Sequence, residues 1–119
     1  MAKINPFQDL RIWQESHNLC LEIYKITRGF LREEFYVLTS QLRRSATLVL
    51  ANIAEGMGRN TTKDFIHFLF NARGSIQETI YHLMLAKDLQ YSDIEEFEIL
   101  KNRYNGLGAA VNIFISKLK

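Results

Sequence analysis

The most informative segment of the chain is Asn52-Ile53-Ala54-Glu55-Gly56-Met57-Gly58-Arg59, a predicted helix ending rich in polar and small residues. Asn52, Glu55 and Arg59 recur at intervals of three and four, so they share one face of a helix. The two glycines give the backbone the freedom that it needs to leave that helix. The segment therefore predicts where a helix stops and marks a polar surface on an otherwise apolar element.

The same helix carries a polar seam upstream of this segment. Gln41 and Arg44 lie on the seam, whereas Arg43 points about 100° away from its neighbour and is not expected to serve the same partner. Asn52 and Glu55 continue the seam, and Glu55 precedes the last arginine by four residues, the favourable order for an ion pair. We expect these residues to stabilise the end of a helix or a contact between helices or subunits. Direct contact with nucleic acid is the alternative.

The composition indicates one domain. The chain has 119 residues, of which 47% are hydrophobic and 24% are charged, enough for one core and too few for two. A single cysteine, Cys20, excludes an internal disulfide framework. The N-terminus lacks the apolar run of a signal peptide, and no stretch reaches the ~18 apolar residues of a membrane span. We therefore expect one cytoplasmic domain over residues 1–119.

The charge balance leaves the choice of partner open. Fifteen basic and thirteen acidic residues give a net charge of +2, which does not by itself demand nucleic acid. Acidic residues concentrate over residues 88–98 and leave other surfaces positive. The candidates for phosphate contact are the basic residues away from the polar seam, namely Lys25, Arg28, Arg32, Lys63 and Arg73.

The spacing of apolar residues predicts four helices and no strand. The helices are expected over residues 9–28, 36–56, 62–89 and 93–118. Asp9 is the expected cap of the first helix. Four helices joined by short connections predict an all-α, antiparallel up-down-up-down bundle.

The first predicted helix carries apolar residues on two sides. Leu21 and Tyr24 belong to one apolar stripe. Leu19 and Ile23 belong to another, and a single core does not absorb both. Self-association would cover the surplus surface. The alternative is that the second stripes of the first two helices face each other within one subunit.

Residues with metal or nucleophile chemistry are sparse. Asp64 and His67 have the spacing of a helical carboxylate site, but the paired motifs of a di-iron bundle are missing, so a solvated surface is the favoured interpretation. Cys20 follows His17 by three residues and lies among apolar neighbours, which favours a buried hydrophobe over an activated thiol. The glycines near Arg59 follow a helix and lack the lysine of a phosphate loop. No metal or cofactor is expected.

A ribonuclease interpretation rests on Arg11 and His17. Their spacing resembles that of helical-bundle ribonucleases of the HEPN type. The pair lies in the first helix and not near the end of the domain, and His17 falls on an apolar stripe, which favours a core histidine. We therefore expect a protein that is not an enzyme, with the ribonuclease as a distant alternative.

The chain resembles a known family through six motifs between Phe7 and Glu78, and the resemblance extends over nearly the whole chain, with the fourth helix recognisable only by its pattern. They are Phe7-x-Asp9-Leu10-x-Ile12-Trp13-Gln14, Ile23-Tyr24, Gln41-x-Arg43-Arg44-x-Ala46, Asn52-Ile53-Ala54-Glu55-Gly56-x-Gly58-Arg59, Phe65-x-x-Phe68-Leu69 and Ala72-Arg73-Gly74-Ser75-x-x-Glu78. They are similar to those of the 23S rRNA intervening-sequence proteins of bacteria. That family includes the accessory variability protein of diversity-generating retroelements.

The resemblance implies a compact bundle that assembles as a ring or barrel of five subunits and has no known catalytic activity. The retroelement relatives are basic barrels that bind nucleic acid and a reverse transcriptase, so RNA, DNA and a reverse transcriptase are implied partners. Two departures stand out: the net charge is only +2, and Gln90 replaces a common glycine. We expect a homopentamer whose modest basic patches together hold an RNA or DNA backbone. A purely structural or protein-binding assembly is the alternative.

Overall fold

The computed structural model describes residues 6–119, and every regular element in this range is helical. Residues 1–5 of the expected domain lie outside the described residues. The four long helices are α1 (Arg11–Thr27), α2 (Ser40–Met57), α3 (Thr62–Asp88) and α4 (Ile94–Leu118). The prediction of an all-α chain with four helices is confirmed.

Short helical turns precede the first two helices. A 3₁₀ turn at Phe7–Asp9 leads into α1, and Asp9 therefore lies in that turn and does not cap the helix as expected. A second 3₁₀ turn, Arg32–Glu34, is followed by one turn of π-helix, Phe35–Thr39, which runs into α2. Most of the connection between α1 and α2 is thus helical.

The starts of α3 and α4 are capped by side chains. The Thr61 hydroxyl accepts a hydrogen bond from the Asp64 backbone N–H at 3.1 Å. The Asp93 carboxylate accepts one from the Glu96 backbone N–H at 2.7 Å. Each bond satisfies a donor that the first helical turn leaves free, which stabilises a helix by about 1 kcal/mol.

The four helices pack around a common core. α2 lies along α1 and α3, and α4 also lies along α1 and α3. Each helix contributes side chains that are almost completely buried, including Leu19, Ile23, Leu42, Val49, Ile53, Leu69, Ile76, Leu83, Tyr104 and Val111. Burying one such aliphatic side chain contributes about 1.5 to 3 kcal/mol, so the apolar stripes supply most of the driving force. No helix within residues 6–119 has the length and apolar character needed to cross a membrane.

The two apolar stripes of α1 have different environments. Leu19 and Ile23 are buried in the core, whereas Leu21 is 56% exposed and Tyr24 is 39% exposed. In α2, by contrast, Leu50 packs against the core from its flank. The alternative, in which one bundle covers both stripes, therefore holds for only part of α1: Leu10 and Trp13, on the same stripe as Leu21, pack against the core. Leu21 and Tyr24 remain on the surface of the chain.

Candidate nucleic-acid interface

The segment that ends α2 packs closely against α3. Gly56 is buried, and a Cβ atom there would lie 2.8 Å from Phe65 Cδ1 and 2.9 Å from Phe68 Cβ. Arg59 Nη2 donates to Glu55 Oε1 at 2.8 Å, and the Arg59 guanidinium lies 4.6 Å from the centre of the Phe68 ring. The ion pair predicted from the sequence is present, and the arginine also joins α2 to α3.

The glycines do not serve the conformational role expected of them. Gly58 follows the end of α2 with φ −80° and ψ −3°, and no glycine among residues 6–119 has a positive φ. Any residue can adopt that backbone, so the prediction that the glycines free the chain to leave the helix is wrong. Gly56 instead lets the first turns of α3 approach α2.

The polar seam of α2 does not form a network with a neighbouring helix. Gln41 and Arg44 are exposed. Asn52 is partly buried and its Nδ2 donates to the Leu48 carbonyl oxygen of the same helix at 2.9 Å. The seam is therefore a surface feature of one helix, except at its end, where Arg59 contacts α3.

Arg43 joins α2 to α1. Its Nε donates to the Thr27 hydroxyl at 2.8 Å, and its guanidinium lies 4.6 Å from the centre of the Tyr24 ring. Thr27 is buried and donates in turn to the Ile23 carbonyl oxygen at 2.8 Å. Arg43 is thus held in one orientation, with the rest of its guanidinium beside the end of α1.

An open groove of about 510 Å³ lies where α1 connects to α2. The polar and aromatic residues that line it include Arg28, Phe30, Arg32, Phe35, Tyr36 and Arg43. A second groove of about 480 Å³ shares Phe35 and Arg43 and adds Tyr24 and Arg44. We refer to this joined surface as the basic groove.

The basic groove contains both members of the Arg43 and Arg44 pair. The two arginines were expected to face different partners, but both line the groove that includes Tyr24 and Phe35. Arg43 reaches across to α1, where its Nε donates to Thr27, whereas Arg44 is exposed. The two arginines therefore border one groove, and the expectation that they serve different partners stays a prediction.

The candidate phosphate contacts separate into two groups. Arg28 and Arg32 line the basic groove, and Lys25 is exposed in the last turn of α1. Lys63 is exposed in the first turn of α3, and Arg73 is exposed in the middle of that helix, 5.2 Å from the centre of the Phe70 ring. The structure therefore brings Arg28 and Arg32 together with the unexpected Arg43 and Arg44, and leaves Lys63 and Arg73 apart from them.

The α1–α2 connection contacts Tyr91 at two points. Phe30 is buried, and its ring centre lies 5.6 Å from that of Tyr91. The Tyr91 hydroxyl donates to the Glu34 carboxylate at 2.7 Å, and this hydrogen bond raises the pKa of the tyrosine above its ordinary value. The connection is therefore attached to the turn between α3 and α4.

Positive charge is concentrated in the segment that forms the groove. Residues 25–44 contain five basic and two acidic side chains, a local net charge of +3 in a chain whose total is +2. The neighbouring stretch, residues 88–98, holds five acidic side chains and no basic one. Partial burial raises the pKa of the Glu96 carboxyl, and the charges of Asp93 and Glu22 raise it further. One side of this region is thus basic and the other acidic.

The side chains considered for catalysis do not converge. Arg11 is exposed and lines a groove between α1 and α4, whereas His17 stacks on Trp13 with ring centres 5.1 Å apart. Cys20 is buried, and this burial raises the pKa of its thiol. Within residues 6–119, no three His, Cys, Asp or Glu side chains lie close enough together to hold a metal ion.

Four helices around one core, with a groove of arginines and aromatic rings beside the α1–α2 connection, define an all-α protein with a candidate anion-binding surface. The family model of the 23S rRNA-intervening sequence protein matches residues 8–112. The chain therefore belongs to the 23S rRNA-intervening sequence protein family, and the resemblance drawn from its motifs is confirmed.

A solved structure supports the same assignment. The chain is similar to a protein of unknown function from the S23 ribosomal protein family of Bacteroides thetaiotaomicron, with 26% sequence identity and a TM-score of 0.78. The match covers 87% of this chain and 97% of that one. No curated protein matches the chain.

Sequence reasoning missed the aromatic part of the site. Phe35, Tyr36 and Val37 are three consecutive apolar residues, and all three are exposed. The sequence did contain a signal for this exposure. The three residues directly follow Arg32, Glu33 and Glu34, and three consecutive apolar residues lack the helical spacing that would place all of them in the core.

Proposed function

We propose that this protein is a non-enzymatic, self-assembling four-helix bundle that holds the phosphate backbone of RNA or DNA in its basic groove. The observation that carries the proposal is the convergence of Arg28, Arg32 and Arg43 on one open groove. Guanidinium groups donate in a planar fork that matches phosphate oxygens, and charge-assisted bonds of this kind are stronger than neutral ones. No carboxylate within residues 6–119 forms an ion pair with these arginines.

The proposed topology is antiparallel, up-down-up-down. Its support comes from the order of contacts: Gly56 approaches Phe68, whereas Ser45 accepts a hydrogen bond from Thr79 at 2.8 Å. Residue numbers therefore fall along α2 as they rise along α3. The same order relates the other neighbours, in the pairs Cys20 with Thr47, Thr27 with Arg43, Phe65 with Phe114, and Lys87 with Phe97. In this topology the basic groove and the acidic α3–α4 turn share one end of the bundle.

The proposed assembly is a homo-oligomer, with five subunits as the expected number. Support comes from α4, which carries no charged residue between Arg103 and Lys117. Its outer face has an exposed heptad pattern of uncharged residues: Ile99, Asn102, Gly106, Ala109, Ile113 and Ser116. Depletion of charge is typical of the core of an interface, and small residues let helices approach closely. We therefore propose this outer face of α4 as a subunit contact.

Assembly would make a weak groove effective. A local charge of +3 neutralises few phosphates, and contacts of this kind weaken steeply as salt rises. When several copies bind one strand, each further contact is intramolecular and the total affinity rises by about 10²- to 10⁴-fold. The low net charge of the chain is therefore compatible with binding by an oligomer.

The test is a salt titration with matched charge variants. Fluorescence anisotropy of labelled RNA and DNA is measured with the parent, with Arg28→Ala/Arg32→Ala and with Lys63→Ala/Arg73→Ala. The first double variant is expected to lose at least about tenfold in affinity and to have a smaller salt slope. The second removes the same charge outside the groove and is expected to stay within about twofold of the parent, apart from the general effect of net charge.

Two outcomes would contradict the proposal. Negligible binding at low salt by an intact oligomer would favour the purely structural or protein-binding assembly. Equal losses in the two double variants would mean that binding follows net charge and does not use the groove.

A further inference from the structure

We infer that the basic groove takes a single strand of nucleic acid, with bases stacked on Tyr36 and Phe35 and phosphates bound by Arg28, Arg32 and Arg43. The inference rests on the proposed function and specifies the form of nucleic acid that the site accepts. It is carried by exposed aromatic rings lining the same groove as the arginines.

The two aromatic rings lie on the surface of the chain. Tyr36 is 87% exposed and Phe35 is 47% exposed, whereas Leu38 and Thr39, which follow the exposed Val37, are buried and anchor the turn. Three exposed apolar residues in succession are unfavourable on a protein surface unless they bind something. Nucleic-acid bases fit this surface because every base has a flat face that stacks on aromatic rings, whatever the sequence.

The backbone holds these rings outward. Residues Phe35–Thr39 form a turn of π-helix, an uncommon conformation that is frequent at functional sites. The ring centres of Phe35 and Tyr36 are 5.0 Å apart with planes at 90°, so each ring restricts the other. The buried Phe30 and the hydrogen bond from Tyr91 to Glu34 fix the preceding residues. A platform that is already ordered lowers the entropy cost of binding.

The surroundings favour a single strand over a duplex. In a duplex the bases are paired and stacked on each other, so their faces are not available to Tyr36. The molecule measures 51 × 23 × 20 Å, so a duplex laid across its end would also approach the acidic α3–α4 turn that contacts Phe30 and Glu34. A single strand needs only the basic side of that end.

The experiment compares three labelled probes of the same sequence, about 20 nucleotides long: single-stranded RNA, single-stranded DNA and a blunt DNA duplex. Full-length parent protein is compared with Tyr36→Ala, Tyr36→Phe and Tyr81→Ala, and the solution mass of each is measured. Tyr81 is the matched control because it is an exposed tyrosine on α3, outside the groove. Ultraviolet crosslinking to 5-iodouracil in the strand, followed by peptide mass spectrometry, identifies the residue in contact.

We expect the single strands to bind at least about tenfold more tightly than the duplex, and Tyr36→Ala to lose about tenfold in affinity for them, the effect of one stacked base. Tyr36→Phe and Tyr81→Ala should retain parental affinity, and the crosslink should fall on Tyr36 or Phe35. The two single-stranded probes show whether the sugar matters, and a preference for either is consistent with the inference.

Other results would overturn the inference in separable ways. Equal binding of duplex and single strand, with unchanged affinity in Tyr36→Ala but loss in Arg28→Ala/Arg32→Ala, would reject base stacking and keep the proposed function. Absence of salt-dependent binding to any probe would reject both. A lower solution mass for Tyr36→Ala would mean that a second copy of the chain covers the aromatic residues.

Discussion

Gly56 illustrates how one atom sets the distance between two helices. A Cβ atom at this position would lie less than 3 Å from both Phe65 and Phe68, so the alanine variant must push α3 away from α2. We expect Gly56→Ala to lower the free energy of unfolding by about 1 to 2 kcal/mol, because overpacking outweighs the gain in helix propensity. Urea denaturation monitored by circular dichroism measures the change.

Gly74 provides the matched control for this substitution. It lies in the interior of α3, and a Cβ atom there would have no neighbour within 4 Å. Gly74→Ala should therefore raise the free energy of unfolding by about 1 kcal/mol through helix propensity alone. If both variants were equally stable, the close packing inferred at the end of α2 would be wrong.

Gln90 is held in a conformation that its side chain disfavours. It is the residue with positive φ (68°) at the end of α3, where the Tyr91 N–H bonds to the Ala86 carbonyl oxygen at 2.8 Å and closes the helix. A left-handed conformation costs a residue with a side chain about 1 to 2 kcal/mol, but glycine adopts it freely. We expect Gln90→Gly to raise the free energy of unfolding by about 0.5 to 1 kcal/mol, after the entropy of the unfolded chain is included.

The control for Gln90 is the same substitution within a helix. Gln77 is exposed in the interior of α3, and Gln77→Gly should lower the free energy of unfolding by about 1 kcal/mol. Thermal unfolding should therefore move in opposite directions for the two variants. A loss of stability in Gln90→Gly would show that its side chain contributes more than its backbone costs.

The long helices could be predicted from the sequence and the α1–α2 connection could not. Apolar residues at helical spacing and caps such as Asp93 are local signals, so they identify α3 and α4 without knowledge of their neighbours. The π-helical turn depends on distant contacts, since Tyr91 lies far along the chain from Glu34. Arg28 and Arg32 could therefore be named as candidates, but no local signal placed the aromatic rings beside them.

The roles of individual motif residues were also less predictable than the motif itself. Arg43 was expected only to point about 100° away from Arg44 and to contact some helix or subunit, and its actual partners, Thr27 and Tyr24, lie on α1. Helical spacing gives the direction in which a side chain leaves its own helix. It does not say which part of a neighbouring helix lies there, because that depends on packing between the two.

The connection between Tyr91 and Glu34 predicts a local change in dynamics. Tyr91→Phe removes the hydroxyl that donates to the Glu34 carboxylate and keeps the ring that contacts Phe30. We expect faster amide hydrogen exchange over residues 31–39, with little change in the core of α4, because the α1–α2 connection loses one of its attachments. Hydrogen exchange with mass spectrometry measures this directly.

Tyr81→Phe is the matched control for that measurement, since Tyr81 is exposed on α3 and its hydroxyl is not part of the connection. Exchange over residues 31–39 should not change in this variant. Unchanged exchange in Tyr91→Phe as well would mean that the π-helical turn is held by the burial of Phe30, Leu38 and Thr39 alone.

The proposed interface and the proposed binding site lie on different helices. The basic groove is formed by the end of α1 and the start of α2, whereas the uncharged exposed face belongs to α4. A variant can therefore disrupt assembly without touching an arginine of the groove. This separation makes the multivalent mechanism testable with one substitution.

Ala109→Glu places a charge in the middle of the uncharged face of α4, where Ala109 is exposed in the subunit. We expect the parent to have a solution mass of about five times the 13.9 kDa of one chain and the variant to be smaller, because burying the added carboxylate between subunits disfavours an interface. Asn71→Glu adds the same charge on the exposed surface of α3 and should keep the parental mass. Light scattering measures all three.

The same variants separate avidity from the strength of a single groove. If several subunits hold one strand, Ala109→Glu should weaken binding of a long single strand by about 10²-fold or more, while a strand short enough for one groove binds as it does to the parent. Asn71→Glu controls for the added negative charge, which lowers affinity for both lengths by the same small factor. A smaller assembly that still bound the long strand with parental affinity would contradict the multivalent mechanism, because one groove would then be sufficient.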